Sequence, residues 1–240
     1  GLAYYAEAPV VVFNVQRVGP STGLPTRTAQ GDLLSTAFLS HGDTKHLMLI
    51  PSSVGEVYEM AMEAFDLAEQ FQTPVFLMSD LDIGMNDWVV DRLTWDDNYK
   101  PNRGQVLTHA DLEKMEKFYR YSPENDDGVA ARTLPGVHAK GSFFTRGSGH
   151  NAMAAYSERP DDYQNNLDRL NRKFESAKAL VPPPVVHNEA GAKIGLIGYG
   201  SSDFAIQESR DQLKEEKGIT TSYLRLRAYP FTNEVHDFIR

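Results

Sequence analysis

The chain has 240 residues, 41% of them hydrophobic and 24% charged, with a formal net charge of −9. That is enough for one large domain, or one and a half, of the ordinary soluble globular class, and the acidic balance argues against a nucleic-acid partner, because phosphate binding needs clustered Lys and Arg. Zero cysteines exclude a disulfide framework, a thiolate zinc site and a cysteine-ligated iron–sulfur cluster within these residues, and the apolar runs are too short to cross a membrane.

Residues 1–6 read as the last turns of a helix, with no initiating Met and no basic-then-apolar leader pattern. A cytoplasmic setting is therefore expected. The first predicted strand is the apolar run 10–15, expected to be buried. Residues 19–28, Gly-Pro-Ser-Thr-Gly-Leu-Pro-Thr-Arg-Thr, are expected to form a loop of fixed and unusual shape, since prolines lock φ and glycines permit rare φ. A shaped loop at the end of an α/β strand is where ligands bind, and Arg27 offers a planar fork of donors for a carboxylate or phosphate. An ordinary polar loop with a surface arginine has the same composition.

A short helix is predicted over 30–39, a strand over 47–51 and a long amphipathic helix over 53–72. Ser53 and Glu56 form a capping box there, and the apolar stripe is Val57, Met60, Ala61, Ala64, Phe65, Ala68 and Phe71. A third strand, 74–78, ends in Ser79-Asp80-Leu81-Asp82, whose aspartates read as caps at a strand end. Strands separated by helices imply a parallel sheet covered on both faces.

From 83 to about 160 the periodicity fails, with one helix expected at 110–119; such a long irregular stretch is often functional. Helix returns over 161–180, with Tyr163, Leu167, Leu170, Phe174 and Ala177 on one face, and Pro182-Pro183-Pro184 ends it. A strand over 192–199, a turn, a helix over 203–216 and a strand over 219–226 open a second α/β unit. Residues 234–240 read as a helix just beginning, so the sequence reads as a piece of a longer protein.

Three chemical patterns need weighing. Gly19-Pro20-Ser21-Thr22-Gly23 matches Gly-x-Ser-x-Gly, the nucleophile elbow of a serine hydrolase, with Asp80 or Asp82 and His138 or His150 in suitable order. The elbow needs a strand directly before the first Gly and a helix just after the Ser; residues 16–18 and Pro25 interrupt both. Gly198-Tyr199-Gly200 resembles the start of a dinucleotide fingerprint, but Asp203 stands where a third glycine belongs and would oppose a pyrophosphate, so a plain tight turn is the better reading. The acidic cluster Glu124, Asp126 and Asp127 lacks the spacing of a calcium loop, and no metal site is expected. His41, beside Gly42 in the loop after the first helix, is a candidate active-site histidine at the edge where strand tips lie.

Residues 10–17, 19–28 and 30–33 together resemble the α subunit of the 2-oxoacid:ferredoxin oxidoreductases, most similar to the 2-oxoglutarate type. The similarity continues through 72–75, 79–86, 134–138, 145–150 and 198–202. It implies that residues 1–82 are the C-terminal half of a pyrimidine-type thiamine-binding domain. Residues 83–184 are then an irregular extension with a helix and Pro linker, and 185–240 the beginning of a transketolase C-terminal-like domain. The implied activity is oxidative decarboxylation of a 2-oxoacid to an acyl-CoA, with thiamine diphosphate and Mg2+ shared with or held by a β subunit. A 4Fe-4S cluster in a partner subunit passes electrons to ferredoxin, coenzyme A takes the acyl group, and the assembly is an α2β2 heterotetramer. By resemblance Arg27 binds the substrate carboxylate, with Ser21, Thr22 and Thr26 supplying further hydrogen bonds. Val18 departs from the family, which has a second Gly there, and the cofactor-activating glutamate with its Tyr-Pro-Ile-Thr-Pro motif is not among these residues. The alternatives are an α/β serine hydrolase using Ser21 and a non-catalytic scaffold subunit.

Overall fold

A computed structural model describes residues 1–123 and 125–240; Glu124 of the acidic cluster lies outside the described residues. The chain is α/β and folds around two sheets. Helix α1 (Leu2–Tyr5) leads to β1 (Val10–Val18) and β2 (Leu24–Thr28), followed by α2 (Leu33–Ala37), β3 (Leu47–Leu49), α3 (Val54–Phe71), β4 (Pro74–Asp80) and α4 (Leu81–Met85). The irregular stretch holds α5 (His109–Lys114) and a single 3-10 turn (Ala139–Gly141). The remainder is α6 (Pro160–Ala177), β5 (Val185–His187), β6 (Ile194–Tyr199), α7 (Ser202–Lys217), β7 (Thr221–Leu226), β8 (Ala228–Tyr229) and α8 (Asn233–Ile239).

The first sheet has the order β2-β1-β4-β3-β8, with β1, β4 and β3 parallel. Every residue of β4 is buried, as expected of a central parallel strand with both faces covered. Strand β1 departs from expectation. Between β4 and β2 it is internal in order, but β2 pairs only with Arg17 and Val18, so the other edge of residues 10–16 is open. Val10, Val12, Phe13 and Val15 are exposed, Phe13 at 48%. The apolar run predicted burial, and among the described residues nothing fully covers these side chains.

Helix α3 starts at Ser53, whose Oγ accepts the Glu56 N–H at 3.2 Å, but the reciprocal half of the capping box is missing. Glu56 turns instead to the Ser52 N–H at 2.8 Å and to two arginines, Arg225 Nη1 of β7 and Arg227 Nε in the link from β7 to β8, each at 2.7 Å. Burial would raise its pKa; Arg225, the Ser52 amide and Arg227 outweigh that and hold the carboxyl at about 2. The core stripe of α3 is Met60, Ala64, Leu67, Ala68 and Phe71; Phe65, expected in it, is exposed. They pack with Leu47, Leu49, Val75 and Leu77 of the sheet and Phe174 and Ala177 of α6.

Helix α6 also buries charge. Arg169 and Lys173 both reach Glu7, Arg169 Nη1 at 3.0 Å and Lys173 Nζ at 2.7 Å, while Arg120 donates to the Glu7 carbonyl at 3.1 Å. Burial again pushes Glu7 up, and the cations, Lys173 and Arg169 foremost, overcome it, leaving the carboxyl near 2. Tyr163, expected on the buried face, is half exposed.

The second sheet, β5-β7-β6, carries α7 on β6 and β7. Strand β8 then crosses back to pair antiparallel with β3, adding the last strand of the first sheet. Among the described residues, no helix is long and apolar enough to cross a membrane.

Candidate functional site

Residues 19–28 form the return of a hairpin rather than a loop. The register passes from Arg17↔Thr28 to Val18↔Leu24, so a bulge breaks the ribbon between Arg17 and Val18 and re-aims its tip. The Gly23 N–H closes the turn on the Pro20 carbonyl at 2.8 Å. At Gly23 φ is +21°, and a Cβ there would stand 2.6 Å from the Val18 oxygen and 2.7 Å from the Gly19 oxygen, so only glycine fits. Composition pointed to the unusual backbone; it carried no signal for the antiparallel pairing, which satisfies the backbone groups at the end of β1.

Ser21 and Thr22 sit at the tip and Thr26 and Arg27 on β2, all four exposed. Strand alternation puts Arg27 on the face of Pro25, and Thr26 with Leu24 and Thr28 on the other. The four are thus brought to one hairpin but not to one face. Arg27 donates one Nη1 bond to the Thr26 carbonyl at 3.3 Å and pairs with no carboxylate among the described residues. Its remaining donors face solvent, available to an anion. The nucleophile elbow is not formed: Ser21 lies between two strands, not between a strand and a helix.

The hairpin's two ends are fixed by groups that, Asp80 apart, the motif reading did not single out. Gln16, 2% exposed, accepts the Asp32 N–H through Oε1 at 3.2 Å and donates through Nε2 to the Ser79 carbonyl at 3.3 Å. Asn14 Nδ2 adds a bond to Asp32 Oδ2 at 3.2 Å. On the return side Gln30 Nε2 donates to Asp80 Oδ2 at 2.9 Å, and Ser201 Oγ donates to the same oxygen at 2.6 Å. The other oxygen of Asp80 caps α4 by accepting the Asp82 and Ile83 N–H groups at 3.0 and 3.1 Å. Asp80 is thus a cap, as expected, and also the point where the turn of the second sheet docks beside the hairpin. A signal was present in the buried polar residue types at strand tips, but their partners are 50 and 121 residues away in sequence.

His41 is not brought to the hairpin. It is exposed and lines a separate cavity of about 490 Å³ with Tyr4, Tyr5, Ser40 and Asp43. His150, 1% exposed, stacks on Tyr121 at 4.0 Å between centroids, and burial lowers its pKa. His138 stands edge-on to His109 instead. Asp203, read as opposing a pyrophosphate, accepts the Tyr223 hydroxyl at 2.9 Å and pairs with Arg225 at 3.2 Å.

Residues 1–103 match the pyruvate flavodoxin/ferredoxin oxidoreductase, thiamine diphosphate-binding family. The chain is 32% identical, over 96% of its length and 35% of the relative's, to 2-oxoacid:ferredoxin oxidoreductase 2, subunit alpha, of Aeropyrum pernix. Over 98% of its length and 58% of the relative's it is 29% identical to 2-oxoglutarate synthase subunit KorA of Archaeoglobus fulgidus. It thus spans between about a third and three-fifths of these curated relatives. Among solved structures it superposes with a TM-score of 0.78, at 24% identity, on the 2-oxoglutarate:ferredoxin oxidoreductase from Magnetococcus marinus with 2-oxoglutarate, coenzyme A and succinyl-CoA bound, covering 99% of this chain and 40% of that one.

Proposed function

We propose, from the match of residues 1–103 to the thiamine diphosphate-binding family and the 32% identity to a 2-oxoacid:ferredoxin oxidoreductase α subunit of which the chain spans 35%, that this chain is part of such an α subunit and anchors the 2-oxoacid substrate through Arg27. The proposed reaction is oxidative decarboxylation of a 2-oxoacid, 2-oxoglutarate foremost, to the acyl-CoA, with electrons leaving to ferredoxin. The observation that carries the proposal is an exposed guanidinium without a carboxylate partner among the described residues, on a hairpin pinned at both ends. A bidentate arginine orients a carboxylate and so places the adjacent keto carbon, and placement is a large part of catalysis. Ser21 and Thr22 at the exposed tip would add hydrogen bonds to the substrate; Thr26, proposed for the same role, lies on the face of β2 opposite Arg27.

The chain's own residues do not fit the cofactor's reactive groups. Among the described residues the buried carboxylates are Glu7, Glu56, Asp80 and Asp203, and each is taken by cations or by neighbouring hydrogen-bond donors. None is left to face a thiamine pyrimidine or a Mg2+ ion. With zero cysteines, no thiolate here can ligate a 4Fe-4S cluster. We therefore assign thiamine diphosphate and Mg2+ to a site shared with or held by a β subunit, and the cluster to a partner subunit. The open, apolar edge of β1 supports such an assembly, because an unpaired strand edge flanked by exposed Val12 and Phe13 is a surface that another polypeptide covers. The division into 1–82, 83–184 and 185–240 belongs to the same proposal.

The test is Arg27→Ala in the assembled enzyme. Loss of a charge-assisted hydrogen bond of about 1.5–3 kcal/mol predicts a fall of roughly 10- to 150-fold in kcat/KM for 2-oxoglutarate, carried mainly by KM, with partial recovery in Arg27→Lys. Unchanged kinetics would remove Arg27 from the site and favour a scaffold role for the chain.

A further inference from the structure

We propose that His109, Glu113 and His138 form a zinc-binding site in the irregular stretch, independent of the substrate hairpin. His109 and Glu113 are four residues apart on α5 and therefore on one face, with His109 Nδ1 and Glu113 Oε2 4.0 Å apart. His138, at the start of the 3-10 turn, brings its ring to 4.9 Å from that of His109, and one ligand atom from each of the three lies within 4.8 Å of the others. Zinc at about 2.1 Å from each ligand needs them about 3.4 Å apart in a tetrahedron, so the donors must close by about an ångström. His109 and Glu113 are exposed, and a change of their rotamers is the movement that closure requires. Two imidazoles and a carboxylate suit Zn2+, and three protein ligands leave the fourth position to water.

The two elements that carry the ligands are already locked together. Lys140 Nζ donates to the Glu113 and Met115 carbonyls at 3.2 and 2.8 Å, and Thr133 Oγ1 donates to the Gly141 carbonyl at 2.7 Å. Leu112 is fully buried against Gly141. Helix α5 is fixed at its start by a reciprocal capping box between Thr108 and Asp111. The metal would therefore enter a site whose backbone is set, at the cost of one bond: His138 Nδ1 now accepts the Lys140 N–H at 3.0 Å. Coordination through Nε2 requires the ring proton on Nδ1, and coordination through Nδ1 displaces the amide directly, so either mode breaks that bond.

Titration of the full chain with Zn2+ by calorimetry, and with Co2+ by visible absorption, tests the site. One equivalent is expected to bind, with a tetrahedral Co2+ spectrum and a shifted Lys140 amide resonance. His109→Ala, Glu113→Gln and His138→Ala should each weaken binding by at least about tenfold. His236→Ala, at an exposed histidine elsewhere, should leave it unchanged. Absence of binding, affinity unaltered across the three variants, or an unmoved Lys140 amide would overturn the proposal; unchanged far-UV circular dichroism in each variant guards against misfolding.

Discussion

His46 shows how a single residue's environment sets a measurable property. It is 1% exposed between the rings of Tyr4 at 5.2 Å and Phe76 at 5.0 Å, and neither ring nitrogen has a well-aligned hydrogen-bond partner. Burial lowers its pKa from 6.5 to about 4. The folded state therefore holds neutral imidazole where the unfolded chain binds a proton. Stability is fully present above about pH 6.5 and is lost as pH falls toward 4, by about 3 kcal/mol in the limit. Urea unfolding of wild type and His46→Phe across this range should show that slope in the first and a much flatter one in the second. The sequence gives no warning of it, because the burial comes from α1 and from β4, contacts distant in the chain. At Arg27 the position is reversed: residue type and local motif named the candidate, and the structure added the strand, its facing direction and the lack of a carboxylate neighbour among the described residues.

Among the elements, α6 carries the most unexpected packing. Its apolar positions Leu170, Phe174 and Ala177 were legible from their 3.6-residue period. Arg169 and Lys173, on the same side of the helix, were not, because charged residues ordinarily mark a solvated face. They are buried because Glu7, just beyond the end of α1, meets them. Glu7→Gln would leave two cations buried without their counterion, and a loss of about 3–5 kcal/mol is expected. A fall in Tm of the isolated chain checks this, and a variant within about 0.5 kcal/mol of wild type would refute it. The same logic separates success from failure elsewhere. Helix α3 and strand β4 were read correctly because their pattern is local. The hairpin, the three-residue β5 and the two-residue β8 were missed because long-range pairing alone defines them.

Across the molecule, the polar links between the two sheets and their flanking segments include Glu56 with Arg225 and Arg227, and Asp80 with Ser201 and Gln30. The second cluster also holds the return side of the hairpin through Gln30, so the docking of the second sheet and the hairpin share Asp80 as a common anchor. Asp80→Ala would remove the α4 cap and the acceptor that Gln30 and Ser201 share, leaving the weaker Gln30–Ser201 bond at 3.4 Å, an expected loss of about 1–3 kcal/mol. Hydrogen exchange should then rise together in residues 30–32 and 200–203, while the β5-β7-β6 sheet keeps its protection. If only α4 loosens, the coupling is absent.

The sequence by itself determined the α/β class, the main helices and strands, the absence of thiolate chemistry and the stretch around Arg27, because these depend on composition and on periodicities a few residues long. Tertiary structure alone decided that the presumed loop is a bulged hairpin, that β1 exposes apolar side chains along an open edge, that Asp80 serves as cap and latch at once, and that His138 stands beside His109 and Glu113. Each of these rests on groups tens of residues apart, and no local pattern records which distant partner satisfies a hydrogen bond, a charge or an apolar face.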